Sequence, residues 1–126
     1  MVRGAFVPLD YSAPIETREF AGLDDYHDAV GGRLERVDVP ALGVTIYVNE
    51  EGPIRQLPLN TRVTFLWWFH VPAARQKAML VGDAVLVGMP DHKGDSTDLP
   101  NIVIGLTAPD HLWRIEYLTE SEASWR

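Results

Sequence analysis

The chain has no cysteine, which excludes a disulfide framework and every zinc site built on thiolates. It has no apolar run near the ~20 residues needed to span a bilayer. It is poor in basic residues: 11 Lys and Arg stand against 18 Asp and Glu in 126 residues, a formal charge of −7. A nucleic-acid binder usually carries a basic face, so direct nucleic-acid binding is not expected. Met1-Val2-Arg3-Gly4 lacks the apolar stretch of a secretory signal, and the expectation is a cytoplasmic protein without membrane contact. What is present is ordinary for a globular chain: 46% hydrophobic and 23% charged residues, enough for one domain with a core.

The chain reads as short strands with two helices. Residues 2–9 are β-leaning, Tyr11 to Pro14 is turn chemistry, and Ile15 to Phe20 reads as a polar strand, so the two segments suit a hairpin. Leu23, Tyr26 and Val30 recur on one face of a helix over 23–30. Asp24 and Asp25 favour its first turn, and Gly31-Gly32 ends it. Residues 33–39 alternate imperfectly as a half-buried strand, and 44–49 (VTIYVN) is the clearest strand in the sequence. Glu50 to Pro53 is a turn, and 54–57 reads as a short return strand.

The run Thr61 to His70 admits two readings. As a strand, Val63, Phe65, Trp67 and Phe69 share a face. As a helix, Asn60 caps it and Val71-Pro72 stops it. The helix is preferred, and so apolar a helix is expected to be buried on most sides. Residues 73–79 read as a loop or a short helical turn. Leu80 to Met89 reads as a strand, 90–100 as an exposed polar loop with Asp98 capping a short helix, 101–106 as either helix or strand, and 111–119 as a last strand. The expected architecture is a small α+β domain over residues 1–119. Its mostly antiparallel sheet of about five strands packs on one or two helices, and 120–126 forms a polar tail.

Catalytic and metal motifs are missing from the sequence. His27, His70, His92 and His111 lie outside metal-ligand spacing of one another, and no serine sits in a G-x-S-x-G elbow. No Gly-rich phosphate loop is present, and no cofactor is expected. Asn49-Glu50-Glu51-Gly52 follows the best strand, where paired carboxylates suit a cation or acid–base work. Neighbours in an extended chain face opposite ways, however, and the residue types suit a solvated turn. Asp91, Asp95, Thr97 and Asp98 resemble a calcium loop only loosely, because the D-x-[DN]-x-[DN]-G order and the closing Glu are missing. Trp67 and Trp68 point about 100° apart in a helix, so either both are buried or one is an outward anchor of the kind interfaces use. Trp125 is a contact candidate in the tail.

Four ordered strings resemble the domain of unknown function 3846 family. They are Ala29-Val30-Gly31-Gly32-Arg33-Leu34-Glu35, Tyr47-Val48-Asn49-Glu50-Glu51-Gly52, Leu57-Pro58-Leu59-Asn60, and Val81 to Gly88 followed by Gly94-Asp95-Ser96-Thr97-Asp98-Leu99-Pro100. The likeness runs from Ala5 to Leu106 and fades beyond Thr107. It favours the helix for Thr61 to His70. It implies a small α+β domain, a cytoplasmic setting, and an origin in actinobacteria or their phages. It brings no activity and no catalytic residue.

The resulting expectation is a non-enzymatic, phage-associated accessory protein that binds a host protein or host defence factor. Its surface is expected to comprise Asn49, Glu50, Glu51 and Asn60 with Trp67 or Trp68, lining one cleft if the turn lies beside the Asn60 helix. Two other classes compete. One is an acidic DNA-mimic antirestriction protein. The other is a nucleotide-binding, sequestering or acting protein, for which Arg55, Arg62, Arg75 and Lys77 would supply the positive charge. An open sheet edge also admits a homo-oligomer.

Overall fold

The computed structural model describes residues 1–75, 77–101 and 103. Val2–Val7 (β1) and Glu16–Phe20 (β2) pair as an antiparallel hairpin, with Val2 opposite Phe20 and Phe6 opposite Glu16. A helix over Leu23–Val30 (α1) leads to Leu34–Val39 (β3) and Val44–Asn49 (β4), which form a second antiparallel pair. A helix over Thr61–His70 (α2) follows, then Ala84–Gly88 (β5). β5 lies at the centre and joins the two hairpins, giving the order β2-β1-β5-β4-β3 with every pair antiparallel.

Every residue of β4 and β5 is buried, the pattern of strands covered on both faces. One face carries Val7, Ile46 and Leu86 under Val63 and Leu66 of α2. The other carries Phe20, Tyr47, Val85 and Val87 under Tyr26 and Val30 of α1. The sheet is therefore sandwiched between two helices on opposite faces.

Local chemistry accounts for both helix ends. Gly31 takes φ 80° and closes α1 through its N–H to the His27 carbonyl at 2.9 Å, a left-handed cap that glycine accepts without strain. Asn60 caps α2, its side-chain oxygen accepting the Val63 N–H at 3.3 Å.

Several expectations need correction. Residues 54–57 form no strand; they belong to a compact turn. β5 begins at Ala84 rather than Leu80 because Gly82 adopts φ 78°, outside strand geometry. Leu23 is 57% exposed; at the first helical position its side chain leans past the N-terminal end instead of onto the sheet. α2, by contrast, meets the expectation of burial on most sides: Arg62, Val63, Thr64 and Leu66 are buried, the other six residues are half-buried, and none is exposed. Asp98 Oδ1 accepts the Arg3 N–H at 2.8 Å, and the helix begun at Asn101 runs into residues outside those described. The expected strand at 111–119 and the tail with Trp125 lie outside the described residues, as do 104–106.

The Asp98 contact belongs to a wedge. β1 and β5 pair from Ala5–Leu86 to Val7–Ala84, but the next positions toward the start of β1 are split by residues 97–99. The Gly88 N–H donates to the Thr97 carbonyl at 2.8 Å and the Leu99 N–H to the Arg3 carbonyl at 2.8 Å. Gly88 makes this possible, since a Cβ there would collide with Thr97 Oγ1 and the Asp98 carbonyl.

Candidate functional site

The end of β4 and the start of α2 meet at one end of the sheet. Asn49 is 2% exposed. Its Nδ2 donates to the Val30 carbonyl at 3.3 Å, and its Oδ1 accepts the Glu51 N–H at 2.8 Å. One buried amide thus ties the end of α1 to the turn after β4. Gly32 packs directly on that amide, where a Cβ would come within 2.9 Å of Nδ2.

The chain then makes a single helical turn, with the Arg55 N–H on the Glu51 carbonyl at 2.9 Å. Gln56 closes it at φ 55°, while Leu57 N–H reaches the Gly52 carbonyl and Gln56 N–H the Pro53 carbonyl. That is a Schellman closure with glutamine in the position glycine normally takes. Ile54 sits on this turn with 85% of its surface exposed.

Residues 58–60 next run antiparallel to 80–82. Gly82 N–H donates to the Pro58 carbonyl at 2.8 Å, Asn60 N–H to the Leu80 carbonyl at 2.9 Å, and Leu59 stands opposite Val81. Extended backbone alternates sides. Asn60 and Leu80 point inward and are buried, whereas Leu59 and Met79 are exposed at 40% and 59%. The turn leans on this short ladder, since a Cβ on Gly52 would fall 2.7 Å from Val81 Cγ2. Trp68 borders it through its indole N–H to the Ala78 carbonyl at 2.8 Å, with Phe65 edge-on at 6.1 Å. On this surface Ile54 of the turn, Leu59 of the ladder and Met79 next to it are exposed, and Glu50, Glu51, Arg33, Arg55 and Trp68 lie on the same elements or beside them. Glu50 pairs with Arg33 at 3.6 Å.

The expected site residues divide here. Glu50, Glu51 and Trp68 reach this surface. Trp67 instead packs against the core on the α2 side. Asn49 and Asn60 are interior. Asn60 Nδ2 donates to the carbonyls of Val7 at 3.0 Å and Gly82 at 2.9 Å while its oxygen caps α2, so both asparagines face backbone rather than a cleft. The sequence reading passed over Ile54, Leu59 and Met79. The available signal was an isoleucine between Pro53 and Arg55, inside a turn and without a periodic apolar partner. It also passed over the structural role of Arg62, which is 4% exposed and donates to the carbonyls of Pro8, Asp10 and Ala13.

Among the described residues no group of three His, Asp or Glu is placed to hold a metal ion, and no helix is long and apolar enough to cross a membrane. The acidic loop at 91–98 folds on itself instead, with Asp91 Oδ1 accepting the N–H groups of Lys93 and Asp95.

A family model described as Domain of unknown function (DUF3846) matches residues 4–108, and the chain belongs to that family. No curated protein and no solved structure matches it. The strings that carry the resemblance have visible structural work. Gly31 and Gly32 serve the α1 end, Asn49 and Asn60 lock the two sides of the turn, and Gly88 admits the wedge. Asp83 holds the β1 exit by accepting the Leu9 N–H at 2.8 Å.

Proposed function

We propose that this protein acts by binding another protein, a host factor in the phage setting that the family resemblance implies, and that it does so through the Ile54–Leu59–Met79 surface. The observation that carries the reading is the exposure of three large apolar side chains, Ile54, Leu59 and Met79, on or next to a hydrogen-bonded turn and ladder at one end of the sheet. Contiguous exposed apolar surface rimmed by polar residues marks interaction sites, and aromatic neighbours such as Trp68 commonly anchor them.

The competing readings draw less support. A nucleotide site would need free cations near α2. Arg62, however, is turned to three backbone carbonyls, and Arg75 Nε to the Trp68 carbonyl. A DNA mimic needs carboxylates displayed to solvent. Asp38, Asp91 and Asp98 instead bond to groups of the chain itself.

The test is affinity capture from an actinobacterial lysate with the wild-type chain and Ile54→Asp. Ile54 is so exposed that the variant should fold with an unchanged melting temperature. Any partner held by the wild type should fall at least tenfold in yield with the variant. Equal recovery of every partner by both proteins would sink the assignment of this surface.

A further inference from the structure

We propose that residues 111–119 of this chain pair antiparallel with the outer edge of β3 and cover it as a sixth strand, an inference that stands apart from the Ile54 surface. The hydrogen-bond phase of β3 defines that edge. The Arg33 carbonyl accepts the Glu50 N–H at 2.7 Å, so in the register of β3 and β4 residues 33, 35, 37 and 39 bond inward to β4. Leu34, Arg36 and Asp38 therefore turn their backbone N–H and C=O groups outward. β3 ends the sheet among the described residues, and a row of such groups is a template for one more strand.

The described chain stops beside this edge. After the wedge, Pro100 packs near Gly43, where a Cβ would meet its ring at 3.7 Å. Gly43 closes the Pro40–Leu42 turn that joins the end of β3 to β4. Val103 bonds back to the Pro100 carbonyl and is buried in the same cluster as Val39 and Val44. The chain is thus delivered to the Val39 end of β3. Residues 104–110, at about 3.3 Å per extended residue, bridge from there to the edge, and a strand that enters at Val39 and runs toward Leu34 is antiparallel to β3. The sheet's other edge, β2, fits less well. It shows the exposed Thr17 and Glu19 on its α2 side, where an apolar neighbour finds nothing to pack on.

The side chains select one register. Leu34, Arg36 and Asp38 stand on the α1 face of β3, and Val37 and Val39 on the α2 face. In His111 to Thr119, Leu112, Arg114, Glu116 and Leu118 alternate with Trp113, Ile115 and Tyr117. With Glu116 opposite Arg36, Arg114 falls opposite Asp38 and Leu118 opposite Leu34, while Ile115 and Trp113 meet Val37 and Val39 on the other face. Arg36 already bonds Asp38 along β3 at 2.9 Å, so the two cross-strand pairs complete a square of alternating charge. A shift by two residues sets Arg36 against Arg114 or Asp38 against Glu116. A shift by one puts Arg114 or Glu116 against Val37. A parallel strand makes at most one of the two ion pairs. In the chosen register the half-buried Val37 gains its apolar cover, and β3 is closed by its own chain to strands from other molecules.

The lack of cysteine allows a clean cross-linking test in the full chain. Val37 and Ile115 form a pair without ladder hydrogen bonds between them, the closer kind, which brings their Cβ atoms within disulfide reach. Mild oxidation of Val37→Cys with Ile115→Cys should close a bridge within one chain, read from monomer mobility on a non-reducing gel. Its yield should be at least tenfold that of Val37→Cys with Trp113→Cys or with Tyr117→Cys. Amide exchange on the unsubstituted protein gives a second readout that depends on no variant's folding: the outward N–H groups of Leu34, Arg36 and Asp38 should be protected. Glu116→Pro, which cannot keep the pairing, should speed their exchange at least tenfold and leave Ile46 in β4 unchanged. Equal yields from the three cysteine pairs, bridges that link two chains, wild-type exchange at Leu34, Arg36 and Asp38 as fast as in an unstructured peptide, or protection that survives Glu116→Pro each overturns the proposal.

Discussion

Asn60 uses each end of one buried amide. Its oxygen caps α2, and its two N–H groups join the exit of β1 to the turn at Gly82. Removing that side chain strands one N–H and two carbonyls in the interior, each costing about 1–3 kcal/mol, and also loses a cap worth about 1 kcal/mol. Asn60→Ala should therefore lower unfolding stability by at least about 3 kcal/mol, read from the urea midpoint at constant slope. A loss below 1 kcal/mol would mean that water replaces the amide. The capping half of this role was legible in the sequence, because a cap is a local pattern. The other half was not, since Val7 lies 53 positions away. Asn49 and Arg62 follow the same rule. They read as surface polar residues because their partners, the carbonyls of Val30 and of the Pro8–Ala13 loop, are close only after folding.

At the scale of elements, periodicity located α1; the Asn60 cap, the Val71-Pro72 stop and the family likeness decided α2; and β-rich composition with turn chemistry located all five strands. The misplacements fall where tertiary packing decides. The 54–57 segment has strand-like composition, yet the Glu51–Leu57 closure uses its backbone groups within the turn. The wedge of 97–99 leaves no local signature, since it exists only through Gly88 and Arg3. Its dependence on a missing Cβ gives a direct test. Gly88→Ala should either expel the wedge or shift β5, costing about 1–3 kcal/mol as overpacking does. Amide exchange at Leu99, whose N–H is held by Arg3, should accelerate more than exchange in β3. Equal protection in the variant and the wild type would show that the wedge accommodates the methyl group. The candidate surface was half legible: the Glu50-Glu51 turn and Trp68 stood out as residue types, whereas Leu59 and Met79 needed the pairing of 58–60 with 80–82 to turn outward together.

At the scale of the molecule, the balance of charge sets the response to acid. The paired bonds from Arg36, helped by the Thr45 hydroxyl, hold the Asp38 carboxyl below its ordinary 3.8 despite some desolvation. A folded value below the unfolded one contributes stability at pH above the unfolded value and loses it as pH falls through the folded one. The melting-temperature gap between wild type and Asp38→Asn should therefore narrow as pH falls through 3.8 and below. It should be no more than a few degrees at neutrality, because the pair is partly exposed to water. A gap that stays constant across that range would remove Asp38 from the acid response.

The wedge also has a consequence for synthesis. β1 leaves the ribosome before the other described strands, and the groups that complete its edge, the Asp98 carboxylate and the Leu99 N–H, follow much later, 95 residues after Arg3 in the case of Asp98. The hairpin of β1 and β2 can close early, but its inner edge must wait for β5 and then for the segment behind it. Contacts of such long sequence separation slow folding. The nascent chain therefore carries an open strand edge until residues 97–99 have been made, and a product cut short before Thr97 keeps that edge.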